Sequence, residues 1–198
     1  MITSENISDK RSLLYRCYQQ QPAALTAEID VAQLSLHDFS VKLRYGFRGP
    51  QARTVLSSAK IALPSAANSL CATVNGELVL RLSNSEYWLL HPQVSGQQAL
   101  LDSQSSEQCY SLFCQDSHAW LVLAGPNIAR VMAKLCAVDL RENAFPLGAV
   151  AQTSVARVNA IIAHHRLADS AVFSILSDSA SASYLWDAIQ DAMQEFKG

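Results

Sequence analysis

The alternation of hydrophobic and polar residues predicts short strands along most of the chain. Hydrophobic residues at positions 41, 43 and 45 alternate with Lys42, Arg44 and Gly46, which is the period of a half-buried strand. The dipeptide Asn75-Gly76 is typical of a tight turn between two strands. Extended segments are predicted at 27–36, 41–47, 71–74, 77–82, 86–90, 110–115, 119–123, 150–156, 158–164 and 171–176.

Hydrophobic residues at helical spacing predict helices at 9–20, 51–60, 97–101, 126–135 and 180–196. Asp178 or Ser179 is predicted to cap the last helix. Trp186 lies about 130 degrees from the centre of that helix's hydrophobic stripe, a position that suits a core contact and a partner contact equally. The predicted buried stripe is Tyr184, Leu185, Ala188, Ile189, Ala192 and Phe196.

An internal repeat with an offset of 76 residues organises these elements. Gly49-Pro50 corresponds to Gly125-Pro126, and each pair opens a helix, since proline suits the first helical position. Each copy has the order strand, Gly-Pro helix, several strands, helix. Short strands joined by tight turns favour antiparallel pairing. The sequence therefore predicts an α+β fold with duplicated subdomains of mostly antiparallel sheet: a tail and helix at 1–25 and subdomains at 26–104 and 105–198, forming one compact domain.

Composition points towards a protein with a partner. Charged residues make up 16% of the 198 residues, against about 25% in ordinary globular chains, so part of the surface is expected to be buried in an assembly. The net charge of −2 and the scattered basic residues argue against nucleic-acid binding. The sequence shows no signal-peptide core, no apolar run of membrane-spanning length and no C-x-x-C pair, which favours a cytoplasmic protein with reduced thiols.

Residues that could carry chemistry are few. The sequence contains neither a G-x-G-x-x-G nor a P-loop motif, so a flavin or dinucleotide held by this chain alone is not expected. Adjacent histidines on a strand point to opposite faces, so His164 and His165 are predicted to be one packed and one solvated residue. Cys136 is predicted to be a buried structural thiol, and Asp139 to stabilise a turn. No catalytic or metal-binding residue is predicted.

A set of short motifs, taken together, resembles a known family over most of residues 40–196. The chain resembles the gamma subunit of heterotetrameric sarcosine oxidase, which is itself similar to the folate-binding domain of the glycine cleavage aminomethyltransferase. The glycine-rich signature of the aminomethyltransferases is not found. The resembling motifs are Arg48-Gly49-Pro50, the segment 80–90 (LRLSNSEYWLL), 123–130, 136–140 (CAVDL), 145–148 (FPLG) and 184–187 (YLWD).

The resemblance implies a non-catalytic accessory subunit that assembles with alpha, beta and delta subunits. In that family the complex oxidises sarcosine to glycine, and FAD, FMN, NAD and tetrahydrofolate are expected on the partner subunits. A related secondary amine, such as N-methylglutamate, is a further candidate substrate of the complex. A regulatory domain that acts without the complex is another interpretation.

A stand-alone folate-binding protein, similar to the aminomethyltransferase, is the alternative interpretation. A pterin ring needs a carboxylate for its N–H groups and an aromatic or apolar slot. Tyr87 and Trp88, with either Asp38 or Asp139, are the candidate residues for such a site between the two halves of the chain.

Overall fold

The computed structural model describes residues 12–14, 32–95, 108–167 and 169–196. It shows an α+β protein with two compact units. The described residues of Val41–Ser117 form the first unit, and the described residues up to Ser40 and from His118 onwards form the second. The predicted helices at 9–20 and 97–101 lie outside the described residues, apart from residues 12–14. No helix in the described part of the chain is long and apolar enough to cross a membrane.

The first unit contains one antiparallel sheet and two short helices within its described residues. The elements in chain order are β2 (Lys42–Arg48), α1 (Ala52–Ser58), β3 (Ser69–Ala72), β4 (Leu78–Arg81), β5 (Glu86–Ser95), β6 (Tyr110–Leu112) and α2 (Cys114–Ser117). The strands have the spatial order β3-β4-β5-β2-β6. Helix α1 covers the face that carries Phe47, Val79 and Leu89.

The second unit contains a second antiparallel sheet, in the order β1-β7-β10-β9-β8. One face packs against the helices around Leu121, Phe173 and Ile175. Short 3-10 helices, Ser179–Ser181 and Gln194–Phe196, flank the last α-helix. The elements in chain order are β1 (Ser35–Asp38), β7 (His118–Ala124), α3 (Ile128–Ala133), β8 (Val150–Val155), β9 (Val158–Leu167), β10 (Ser170–Asp178) and α4 (Ala182–Met193).

The two sheets have the same architecture, and they exchange one strand. Each strand of the first sheet has an equivalent in the second: β2 corresponds to β7, β3 to β8, β4 to β9, β5 to β10 and β6 to β1. Strand β1 directly precedes β2 but pairs with β7, whereas β6 precedes β7 but pairs with β2. The compact units therefore differ from the contiguous subdomains 26–104 and 105–198, because the first strand of each repeat completes the sheet of the other.

The Gly-Pro pairs mark equivalent points in the two repeats. Gly49 has a φ of 143° and Gly125 a φ of 100°. A Cβ on Gly49 would overlap the carbonyl oxygen of Gln108, and one on Gly125 would overlap that of Gln33. Both glycines therefore let the exchanged edge strand pass close to the main chain. The helices after them are shorter than the predicted 51–60 and 126–135.

Two predicted exposure patterns are wrong. Strand β2 is not half-buried with a polar outer face, because Arg44 is 1% exposed and Gly46 is buried against Trp88. In the last helix, Leu185 and Ile189 are buried as predicted, but Tyr184 is 56% exposed. Trp186 lies in the core of the second unit and is 4% exposed. The helix buries a wider stripe than the hydrophobic spacing indicates.

Of the two residues predicted to cap the last helical segment, Asp178 provides the cap. The Asp178 carboxylate accepts a hydrogen bond from the Ala180 N–H at 2.7 Å, whereas Ser179 lies inside the first 3-10 turn. We expect Asp178→Ala to lower the free energy of unfolding by about 1 kcal/mol, the usual value of an N-cap. Ser179→Ala is the matched control and should change it by less than about 0.5 kcal/mol. Urea unfolding measures both, and equal losses would contradict the assignment.

Candidate functional site

Tyr87 and Trp88, two of the candidate folate residues, are neighbours on β5 and point to opposite faces of the first sheet. Tyr87 is fully buried beside Phe47 and Leu89, with the Arg81 guanidinium 6.0 Å from its ring centroid. Trp88 is 4% exposed, and its Nε1–H donates to Glu86 Oε1 at 3.0 Å. The two rings therefore do not form one aromatic slot.

The two candidate aspartates belong to the second unit, and each stabilises local main chain. Asp38 ends β1, is buried, and accepts hydrogen bonds from the Ser40 N–H at 2.7 Å and from the Ser12 hydroxyl. Asp139 is exposed and accepts from the Arg141 N–H at 3.1 Å. Hydrogen bonds from the Arg141 guanidinium, the closest at 2.6 Å, lower the Asp139 pKa to about 2. Asp139 thus supports a turn, as predicted, and the folate assignment of all four residues stays a prediction.

A buried polar chain crosses the second sheet through three strands. Trp120 Nε1–H lies 2.8 Å from Ser174 Oγ, and Ser174 Oγ lies 2.7 Å from His165 Nε2. His165 Nδ1 lies 3.1 Å from the Arg166 carbonyl oxygen. His164 is also buried and contacts the Phe145 carbonyl oxygen. The prediction that one of the two histidines is solvated is wrong, because β9 is covered on both faces at this point.

The donors and acceptors of this chain have one consistent assignment. The indole can only donate, so the Ser174 hydroxyl accepts from Trp120. Because burial disfavours a charged imidazole, His165 Nε2 accepts from the Ser174 hydroxyl. His165 is then neutral, with its proton on Nδ1 donated to the Arg166 carbonyl. Burial lowers the His165 pKa to about 4. Ser174 is 0% exposed, so this serine–histidine pair holds the sheet together and does not present a nucleophile to a substrate.

A second cluster, formed by Tyr45, Glu77 and His91, lies in the first unit. Glu77 Oε1 is 3.4 Å from His91 Nδ1, and the Tyr45 and His91 ring centroids are 5.2 Å apart. Glu77 Oε2 also accepts from the Thr73 hydroxyl at 3.3 Å. No sequence motif indicates this cluster. Its signal is the hairpin β4–β5, whose register pairs Leu78 with Leu90 and so places Glu77 opposite His91.

Burial and charge shift the titration of this cluster. Burial lowers the His91 pKa, and the Glu77 carboxylate opposes that shift. Burial, and then the Glu77 charge, raise the Tyr45 pKa to about 12. His91 Nε2 is buried and has no hydrogen-bond partner among the described residues. A carboxylate on Nδ1 fixes the tautomer that leaves Nε2 as an acceptor, so the cluster is arranged like an acid–base pair but is closed to solvent at its reactive nitrogen.

The model of the GCVT N-terminal domain matches residues 31–198, which is most of the chain. The chain belongs to this family. The predicted resemblance is thereby confirmed, and the family's α+β fold agrees with the two antiparallel sheets. No protein among the curated sequences matches.

Two solved structures show the same fold as this family member. A chain of the heterotetrameric sarcosine oxidase from Corynebacterium sp. U-96, in complex with pyrrole 2-carboxylate, superposes with a TM-score of 0.76 at 23% identity. That match covers 96% of this chain and 97% of the other. The glycine cleavage system aminomethyltransferase T from Bartonella henselae gives a TM-score of 0.63 at 17% identity, covering 93% of this chain and 57% of the other.

Among the residues that the structure describes, the thiols and the metal-ligating side chains form no further site. Cys136 is half-buried, and burial raises its pKa, which keeps it a thiol at neutral pH. Burial also raises the pKa of Cys114 to about 12. The described residues contain no group of three or more histidine, cysteine, aspartate or glutamate side chains placed to hold a metal ion.

Proposed function

We propose that this chain is a non-catalytic, gamma-type subunit of a cytoplasmic, heterotetrameric complex similar to sarcosine oxidase. The observation that carries the proposal is the match to a chain of such an oxidase over 96% of this chain and 97% of the other. The aminomethyltransferase matches over only 57% of its own length. The higher TM-score and identity of the oxidase chain, 0.76 and 23% against 0.63 and 17% for the aminomethyltransferase, favour the role of an oxidase subunit.

The polar contacts of this chain support the same role. Its buried serine–histidine pair is enclosed, and its candidate carboxylates are engaged in local turns. Under this proposal the alpha, beta and delta subunits supply FAD, FMN, NAD and tetrahydrofolate, and the complex oxidises sarcosine or a related secondary amine. This chain then contributes contact surface, which agrees with its charged fraction of 16%.

Co-expression tests the subunit role directly. With tagged alpha, beta and delta subunits of a sarcosine oxidase-like enzyme encoded in the same genome, we expect this chain to co-purify in equal amounts. Omitting it should reduce the yield of assembled complex about tenfold or more. Quantitative gel analysis and size-exclusion chromatography give both values. Full assembly and full amine oxidation without this chain, together with its elution as a separate monomer, would overturn the proposal.

A folate titration distinguishes the alternative from the subunit role. In the isolated chain, tetrahydrofolate is added while tryptophan fluorescence is followed, with Trp88→Phe as the matched variant. The subunit proposal expects no saturable change at millimolar folate. A saturable change that is lost in Trp88→Phe would favour the stand-alone folate-binding protein.

A further inference from the structure

The loop between β3 and β4 carries an exposed asparagine followed by a glycine. Val74 at its tip is 103% exposed, and Asn75 and Gly76 are exposed beside it. A Cβ on Gly76 would meet no atom within 4 Å. Among the described residues, no other group forms a hydrogen bond with the Asn75 carboxamide. The carboxamide can therefore turn towards the next main-chain nitrogen without meeting a neighbour.

This arrangement allows a reaction within the loop. Asparagine is a thermolabile residue, and glycine has no side chain to hinder an attack by its own nitrogen. The Gly76 nitrogen loses its proton and forms a bond to Asn75 Cγ, while the Cγ–Nδ2 bond breaks and ammonia leaves. Water then opens the resulting cyclic imide at either carbonyl carbon, which gives aspartate or isoaspartate. Water is the co-reactant, and no electrons are transferred.

Hydrogen bonds to Thr73 oppose this reaction in the folded loop. The Gly76 N–H donates to the Thr73 carbonyl oxygen at 3.0 Å, so this hydrogen bond must break before the nitrogen can attack. The Thr73 hydroxyl oxygen accepts from the Asn75 N–H at 3.3 Å and from the Glu77 N–H at 3.2 Å. The hydroxyl thus holds the loop closed and limits how often the Gly76 nitrogen becomes available.

We propose that Asn75 is a site of spontaneous deamidation, and that the Thr73 hydroxyl controls its rate in the folded protein. The aspartate product adds a negative charge next to Glu77, whose carboxylate lies 3.4 Å from His91 Nδ1. The isoaspartate product lengthens the main chain of a loop whose length fixes the register of β3 and β4. The proposal does not depend on the subunit role, because every residue that reacts lies in one loop.

Mass spectrometry of the full-length chain tests the site. The protein is incubated in mildly alkaline buffer at physiological temperature, digested at acidic pH, and searched for the mass gain that replaces NH₂ by OH. Asn84 is the internal reference, because its Oδ1 accepts from Arg81 Nη2 at 3.0 Å and a serine follows it. We expect Asn75 to be converted at least about tenfold faster than Asn84.

Three variants test the control by the loop. Thr73→Val removes the hydroxyl and should speed the conversion of Asn75 about fivefold, the factor expected for lost hydrogen bonds. Thr54→Val, which makes the same change at an exposed position of α1, should leave the rate unchanged. Gly76→Ala places a Cβ beside the attacking nitrogen and should slow the reaction about tenfold. In guanidinium chloride, where the loop is unfolded, Thr73→Val and the natural protein should react at equal rates.

Either of two results would overturn the proposal. Conversion of Asn75 no faster than that of Asn84 in the folded chain would remove the site. Equal rates for Thr73→Val and Thr54→Val in the folded chain would remove the role of the hydroxyl. Circular dichroism of each variant before incubation verifies that these rates belong to the folded protein.

Discussion

Replacing Gly125 by alanine is expected to lower the free energy of unfolding by about 3 kcal/mol or more. The φ of 100° places Gly125 where an L side chain is strained, at about 1–2 kcal/mol. The new Cβ would also overlap the Gln33 carbonyl oxygen, and relief of that overlap requires a backbone shift that costs about 1–3 kcal/mol more. Because β1 begins two residues after Gln33, the shift would disturb the pairing of β1 with β7.

Gly76→Ala is the matched control for that prediction. Gly76 also has a positive φ, of 81°, but a Cβ there would meet no atom within 4 Å. Only the backbone strain remains, so we expect a loss of about 1 kcal/mol. Urea unfolding followed by circular dichroism measures both variants. Equal losses in Gly76→Ala and Gly125→Ala would show that the close passage of the exchanged strand contributes nothing.

The second large effect is expected on acidification and acts through His165. Burial lowers its folded pKa to about 4, against about 6.5 in the unfolded chain. Between these values the unfolded state binds more protons, so the free energy of unfolding falls as the pH falls. We expect His165 to contribute a loss of about 3 kcal/mol between pH 7 and pH 4. Burial also lowers the pKa of His37 and of His91, which adds losses in the same direction.

His165→Gln isolates the contribution of this residue. Glutamine cannot take up a proton in this range, so the variant should lose about 3 kcal/mol less than the natural protein between pH 7 and pH 4. Trp120→Phe is the control, because it removes the indole donor to Ser174 but keeps His165. This substitution should lower the free energy of unfolding by the same amount at pH 7 and at pH 4. Urea midpoints at pH 7 and pH 4 give the comparison. Parallel pH profiles for the natural protein and His165→Gln would contradict the assignment.

Local patterns predicted the strands more accurately than the burial of their faces. The segments predicted at 150–156, 158–164 and 171–176 correspond to β8, β9 and β10, because short strands between turn residues have a clear signature. The strand predicted at 110–115 ends at Leu112 and continues as α2. The polar position Arg44 is buried because its guanidinium donates to the Lys42 and Gln115 carbonyl oxygens. The Gln115 partner lies 71 residues away in the sequence, and strand periodicity does not show it.

The candidate sites were harder to predict than the fold. Tyr87 and Trp88 attract attention as adjacent aromatic residues, but strand geometry places them on opposite faces. The Tyr45–Glu77–His91 cluster combines strands β2 and β5 with the residue that precedes β4, and only the β4–β5 register brings Glu77 next to His91. Similarly, Ser174 gave no sequence signal, and its role follows from two neighbouring strands that place an indole and an imidazole on either side of it.

By itself, the sequence determined the repeat, the fold class and the family, because Gly-Pro spacing, turn dipeptides and short motifs are local properties of the chain. The tertiary structure alone decided which strand completes which sheet. Strands β1 and β6 each leave their own repeat to pair with β7 and β2, and an edge strand of three or four residues carries too little sequence information to specify its partner. The backbone hydrogen bonds of an edge strand can be satisfied by any sheet of suitable register, so the choice depends on the packing around Gly49 and Gly125.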